Sequence, residues 1–110
     1  MTDEMQDFDM PLPPPTFSFL VMSFRAQAEV HLGLMQFSEE KQEPDLPMAQ
    51  HTIDLMAMLY DKTKGNLTLE EQRYLENSLT ELRFRFVQTA EEVKQKAAAG
   101  EGSQAEAKNA

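Results

Sequence analysis

Two histidines and one aspartate are the residues whose chemistry first suggests a binding site. His51 and Asp54 lie three positions apart in a segment of helical character, and His31 lies in the segment before it. Neutral imidazoles and an ionised carboxylate are good transition-metal ligands, so two paired helices could bring these side chains together around an ion. No compact ligand spacing occurs, and the periodicity places His31 at the edge of an apolar face. The sequence therefore favours no metal site and leaves these three residues as the alternative.

A lysine-rich elbow is the second candidate. It combines two cations, a glycine and a possible helix N-terminus, which are components of anion-binding sites. The spacing is not that of a phosphate loop, and no strand precedes it. Helix capping explains the same residues, because glycine and asparagine suit the end of one helix and threonine suits the start of the next. Anion binding at the elbow is thus the alternative to a structural turn. The elbow residues are Lys62, Lys64, Gly65, Asn66 and Thr68.

Charged and aromatic residues alternate between Arg83 and Phe86, a pattern typical of surfaces that bind nucleic acid. On a helix, however, Arg83 and Arg85 diverge by about 160°. The chain carries ten basic and nineteen acidic residues, a net charge of −9, which disfavours binding to phosphate backbones. We therefore predict no nucleic-acid partner and expect both arginines to flank an apolar seam and pair with carboxylates.

The residue inventory also limits the chemistry. The chain has no cysteine, which excludes a disulfide framework, a thiolate zinc site and a cysteine nucleophile. No nucleophile with a base beside it, catalytic carboxylate pair or cofactor motif is recognisable, so we predict a noncatalytic protein without a cofactor. No apolar stretch approaches the ~18 residues of a membrane span, and the N-terminal segment is acidic where a secretory signal is basic. We therefore predict a cytoplasmic protein with no membrane partner.

Glycines and prolines divide the 110 residues into three unbroken segments, each long enough for a helix. The predicted fold class is all-α, a small three-helix domain of helical hairpins that form a bundle, completed by dimerisation. Thr68 and Glu71 have the spacing of a capping box, which predicts the start of the third helix. The domain is predicted over residues 12–96, with helices at about 16–33, 46–64 and 68–96.

Both ends of the chain are predicted to be disordered. Residues 1–11 form an acidic tail with too little apolar surface to offset its ordering entropy. Residues 97–110 are small or polar and predict a frayed second tail. The prolines from Pro11 to Pro15 predict a stiff polyproline arm, which either fixes the start of the first helix or serves as a recognition segment.

The three predicted helices carry more apolar surface than they can bury against one another. The first helix has apolar side chains on two nearly opposite faces, which is typical of a helix between two partners. Soluble monomers avoid contiguous exposed apolar patches, and a two-fold dimer covers them with one self-complementary surface. The predicted interaction residues are Phe19, Met22, Leu69, Phe84 and Val87.

Three blocks of sequence occur in a recognisable order. They are Leu12–Leu20, then Ile53 and Asp54 with Lys62–Thr68, Glu70 and Glu71, and finally Leu82, Arg83, Arg85, Phe86 and Val87. Together they resemble the bacterial domain-of-unknown-function family 1844. The resemblance implies a small helical, cytoplasmic bacterial protein and supplies no activity, ligand or catalytic residue. Members of that family often have tyrosine at the position of Phe86, so this chain lacks a hydroxyl group there.

The sequence as a whole predicts a noncatalytic helical protein-interaction module that self-associates. The alternative is a small-ligand, anion or metal-binding protein that uses the inter-helix cleft or the Lys62–Lys64 elbow. The expected partners are a second copy of the chain, most simply in a homodimer, and an unidentified protein.

Overall fold

The computed structural model describes residues 11–35 and 43–109, with side chains described as far as Gly100. The described residues form three α-helices and no strand, which confirms the predicted all-α class. The prediction of disorder for the acidic tail falls on residues outside this range, apart from Pro11. The helices are α1 (Phe17–His31), α2 (Leu46–Lys62) and α3 (Leu69–Asn109).

Capping residues set the start of the first two helices. The Thr16 hydroxyl accepts a hydrogen bond from the Phe19 amide at 3.0 Å, and the Asp45 carboxylate accepts one from the Met48 amide at 3.2 Å. Each bond satisfies an amide that has no partner within its own helix. Pro47 fits in the first turn of α2, where its missing N–H costs nothing.

The capping box at the start of α3 is confirmed. The Thr68 amide donates to the Glu71 carboxylate at 2.8 Å, and the Glu71 amide donates to the Thr68 hydroxyl at 3.1 Å. Just before it, Gly65 has a φ of +84°, which a side-chain-bearing residue adopts only with strain. The chain therefore reverses between α2 and α3 within a few residues.

The third helix is longer than predicted. The sequence predicts an end near residue 96 and disorder over residues 97–110, whereas α3 continues to Asn109. The run Ala97–Ala99 provides the best helix-forming residues directly after an existing helix, and extending a helix avoids the cost of nucleation. Gly100 and Gly102 weaken this extension by about 1 kcal/mol each without breaking it.

The helices form a bundle in which α1 and α3 run in parallel and α2 runs antiparallel to both. Arg25 in α1 contacts Ser78 and Glu81 in α3, and further along both helices Leu32 lines a cleft with Thr89. The core between them is apolar and belongs to all three helices. Its buried members are Val21, Ala28, Leu32, Ala49, Ile53, Met56, Leu75, Leu79 and Leu82.

Candidate functional site

One candidate surface is the face of α1 turned away from the core. Val21, Ala28 and Leu32 point inward, so the residues about half a turn away point outward. Phe19 is 36% exposed and Met22 is 48% exposed. Ala26 and Val30 continue the same face and are half-buried. We call this set, from Phe19 to Val30, the α1 face.

A second apolar surface lies on α3. Phe84 and Val87, one turn apart on the side away from Leu82, are 62% and 65% exposed. Leu69 is 60% exposed but lies fifteen residues before Phe84, which is about 22 Å along the helix axis. The structure therefore divides the predicted interaction residues into the α1 face, an α3 patch of Phe84 and Val87, and an isolated Leu69.

Arg25 of α1 is directed at α3. The Arg25 guanidinium bonds to the Glu81 carboxylate at 2.7 Å and donates to the Ser78 hydroxyl at 3.4 Å. Glu29 lies 3.9 Å from the same guanidinium. Arg25 and Glu29 are the charged residues of α1. Glu29 lies seven residues after Met22, on the same side of the helix, so its carboxylate borders the α1 face. The Arg25–Glu81 pair joins residues 56 positions apart, and the sequence did not predict it.

The two arginines beside the α3 patch differ in their ion pairing. Arg85 lies 3.9 Å from the Glu81 carboxylate, in agreement with the predicted pairing. Arg83 is exposed, and among the described residues it takes part in no ion pair shorter than 4 Å. Glu91, one turn after Val87, is exposed as well, so the α3 patch has charges of both signs beside it.

The candidate metal ligands do not come together. His31 lies half-buried at the end of α1, whereas His51 and Asp54 are exposed on α2. The Asp54 carboxylate accepts a hydrogen bond from the Gln50 amide group at 2.8 Å. Within residues 11–35 and 43–100, no three histidine, aspartate or glutamate side chains form a group able to hold a metal ion.

In the lysine-rich elbow, the groups that cap α3 already bond to one another. The Thr68 and Glu71 amides are bonded within the capping box, and Glu70 and Glu71 place negative charge in the first turn of α3. The Lys64 ammonium lies 5.8 Å from the centre of the Tyr60 ring, within cation–π range. The geometry accounts for these residues as a turn between two helices.

An open cleft lies where the end of α1 meets α3. Its volume is about 150 Å³, whereas pockets that hold small molecules measure about 300–1,000 Å³. The cleft is therefore too small and too open to enclose an ordinary metabolite. It is lined by Leu32, Gly33, Leu34, Glu43, Pro44, Thr89, Glu92, Val93 and Lys96.

A tyrosine–carboxylate hydrogen bond joins α2 to α3. The Tyr60 hydroxyl donates to the Glu76 carboxylate at 2.8 Å. This hydrogen bond, with smaller contributions from burial and from the charges of Glu76 and Asp61, raises the pKa of Tyr60 above its ordinary value of 10.0. Because the folded state holds the proton more tightly, the bond stabilises the fold below pH 10 and is lost as the pH rises through the raised pKa.

The titration of Tyr60 provides a test of that bond. The chain has two tyrosines, so in a Tyr74→Phe variant the phenolate absorbance reports Tyr60 alone. We expect its midpoint to lie above 10 and to fall towards 10 when Glu76→Gln is added, because the charged acceptor is then gone. Equal midpoints in the two variants would contradict the hydrogen bond.

No helix in the described part of the chain is both long enough and apolar enough to cross a membrane.

A protein-family model matches most of the chain. The family described as a domain of unknown function, DUF1844, matches residues 14–88, more than half of the chain, and confirms the resemblance of the three sequence blocks. No curated protein and no solved structure matches the chain.

Proposed function

The chain belongs to the DUF1844 family of domains of unknown function, and from that premise we propose that it is a noncatalytic protein-interaction module that self-associates. The cytoplasmic location and bacterial source implied by the resemblance are part of the same proposal.

The observation that carries the proposal is the apolar surface left outside the core. Phe19 and Met22 on α1, and Phe84 and Val87 on α3, are exposed although the core itself is closed. Covering the exposed part of a large apolar side chain contributes on the order of 1 kcal/mol. Several such side chains on two helices favour association with another surface over exposure to water.

Two of the three buried hydroxyl side chains, those of Thr52 and Ser78, support a noncatalytic role. The Thr52 hydroxyl donates to the Met48 carbonyl at 3.0 Å, which is a bond within its own helix. The Ser78 hydroxyl accepts from the Arg25 guanidinium, a group that does not act as a base. Neither hydroxyl has the neighbouring base that activation as a nucleophile requires.

The test of self-association is the mass of the protein in solution. We expect size exclusion coupled to light scattering, at tens of micromolar, to give about twice the chain mass of 12.6 kDa. As a control, a variant that carries both Lys62→Ser and Arg73→Ser should keep the dimeric mass. Both side chains are exposed and lie outside the apolar surfaces. A mass of one chain up to about 100 µM would contradict the proposal.

A further inference from the structure

The proline arm, residues Pro11–Pro15, lies outside the bundle. All five residues are exposed. Leu12, at 90% exposed, is the most exposed large apolar side chain in the described part of the chain. The start of α1 is set by the Thr16 hydroxyl, which accepts a hydrogen bond from the Phe19 amide at 3.0 Å. The cap at Thr16 therefore accounts for the helix start and leaves the exposed apolar arm without an explanation.

The residue types restrict the backbone of the arm. Proline fixes φ near about −65°, and four of the five residues are prolines. A residue that precedes a proline is held in extended backbone, which applies to Leu12, Pro13 and Pro14. These restrictions favour polyproline II, a helix with three residues per turn. A partner that binds the arm in this conformation therefore loses little conformational entropy in ordering it.

The arm is rich in hydrogen-bond acceptors and poor in donors. Proline has no N–H, so Leu12 supplies the one backbone N–H among these five residues, against five carbonyl oxygens. The Pro14 carbonyl accepts from the Thr16 amide at 2.9 Å, at the junction with α1. A complementary surface must receive apolar rings and also donate hydrogen bonds. Tyrosine and tryptophan meet both conditions, because each joins a large ring to an O–H or N–H group.

A second copy of this chain does not supply such a surface. The chain has no tryptophan and two tyrosines. Tyr60 and Tyr74 are half-buried against the core, and the Tyr60 hydroxyl already donates to the Glu76 carboxylate at 2.8 Å. The exposed rings of Phe19 and Phe84 carry no donor. The chemistry of the arm therefore requires a different protein as its partner.

We propose that Pro11–Pro15 is a recognition segment for a protein domain whose groove is lined with tyrosine and tryptophan side chains. Grooves of this kind dock polyproline segments between their aromatic rings. Pro11 and Pro14 are three residues apart, so they lie on one edge of the polyproline helix, about 9 Å from each other, and can enter adjoining pockets. The inference goes beyond self-association, because it uses none of the apolar residues on α1 and α3.

Tryptophan fluorescence tests the inference directly, because the chain has no tryptophan and the signal belongs to the groove of the partner. Purified Src-homology 3 and WW domains, which dock polyproline segments in aromatic grooves, are titrated with the full chain. We expect a saturable change in the emission of at least one domain. A variant that carries both Pro11→Ala and Pro14→Ala should bind about tenfold or more weakly, because backbone restriction and two ring contacts are lost.

The matched control is Pro47→Ala, at an exposed proline in the first turn of α2. It removes a proline ring from the surface but leaves the arm intact, so the dissociation constant should not change. Circular dichroism should show both variants to be folded. Equal affinities of the arm variant and the parent chain would overturn the inference, and so would equal weakening in the arm variant and the control.

The results separate this inference from the proposed function. No emission change with any of the domains up to about 1 mM would overturn the recognition segment. The mass by light scattering is a separate measurement, on which self-association stands or fails by itself. A change from dimeric to monomeric mass in the arm variant would make the arm a contact between copies and overturn the inference.

Discussion

Replacing Leu75 with alanine is expected to lower the free energy of unfolding by about 3 kcal/mol, within the range of about 2–5 kcal/mol for buried leucine truncations. Leu75 is fully buried and belongs to the core shared by the three helices. Its truncation removes apolar contacts and leaves a cavity that surrounding helices fill only in part. Since small domains are stable by about 5–15 kcal/mol, this loss is a large share of the total.

Denaturant unfolding at a fixed protein concentration measures the loss. The matched control is Leu69→Ala, the same substitution in the same helix at an exposed side chain. We expect the control to change stability by no more than about 0.5 kcal/mol. Equal losses in the two variants would mean that burial does not distinguish the two positions.

Enlarging Ala49 to leucine is expected to cost about 1–3 kcal/mol through overpacking. Ala49 is fully buried in the core on α2. The added carbons force neighbouring side chains out of their preferred rotamers or move α2 away from the bundle. The denaturation midpoint should therefore fall.

Gln50→Leu at the next, exposed position is the control for Ala49→Leu. It adds apolar surface without entering the core and should shift the midpoint little, although it removes the hydrogen bond to Asp54. A higher denaturation midpoint in the Ala49→Leu variant than in the parent protein would show that there is unfilled space beside Ala49.

The starts of all three helices and the ends of α1 and α2 lie within about two residues of their predicted positions, unlike the end of α3. The capping box at Thr68 and Glu71 depends on a three-residue spacing, and both of its hydrogen bonds are present. Gly33 and Gly65 adopt positive φ angles at the ends of α1 and α2, as their residue type predicts. Such features depend only on neighbouring residues, so no knowledge of the bundle is needed to predict them.

The packing of the helices against one another could not be predicted from the sequence in the same way. Periodicity places Leu20 on the inward face of α1, yet its side chain is 42% exposed. Periodicity gives the direction of a side chain around its helix but does not say whether a neighbouring helix lies there. The contact of Arg25 with Glu81 joins residues 56 positions apart, and no local pattern signals it.

The predicted interaction surface shows a related limit. Leu69 and Val87 project from the same side of α3, and an end-on projection of the helix superimposes them. They are separated by about 27 Å along the axis, a distance that such a projection discards. Grouping the apolar residues by their angle around α3 therefore joins residues that lie too far apart along the axis to form one patch.

The length of α3 affects how the two ends of this helix unfold. At about 1.5 Å per residue, its 41 residues span about 60 Å, whereas the 15 residues of α1 span about 22 Å. Side chains from Lys94 to Gly100 are exposed, so hydrogen bonds in this region lack tertiary cover. We expect amide protons around Leu75 and Leu82 to exchange with deuterium only on global unfolding, and those beyond Lys96 to exchange through local fraying. We therefore expect only the packed part of this continuous helix to share the folding transition of the bundle.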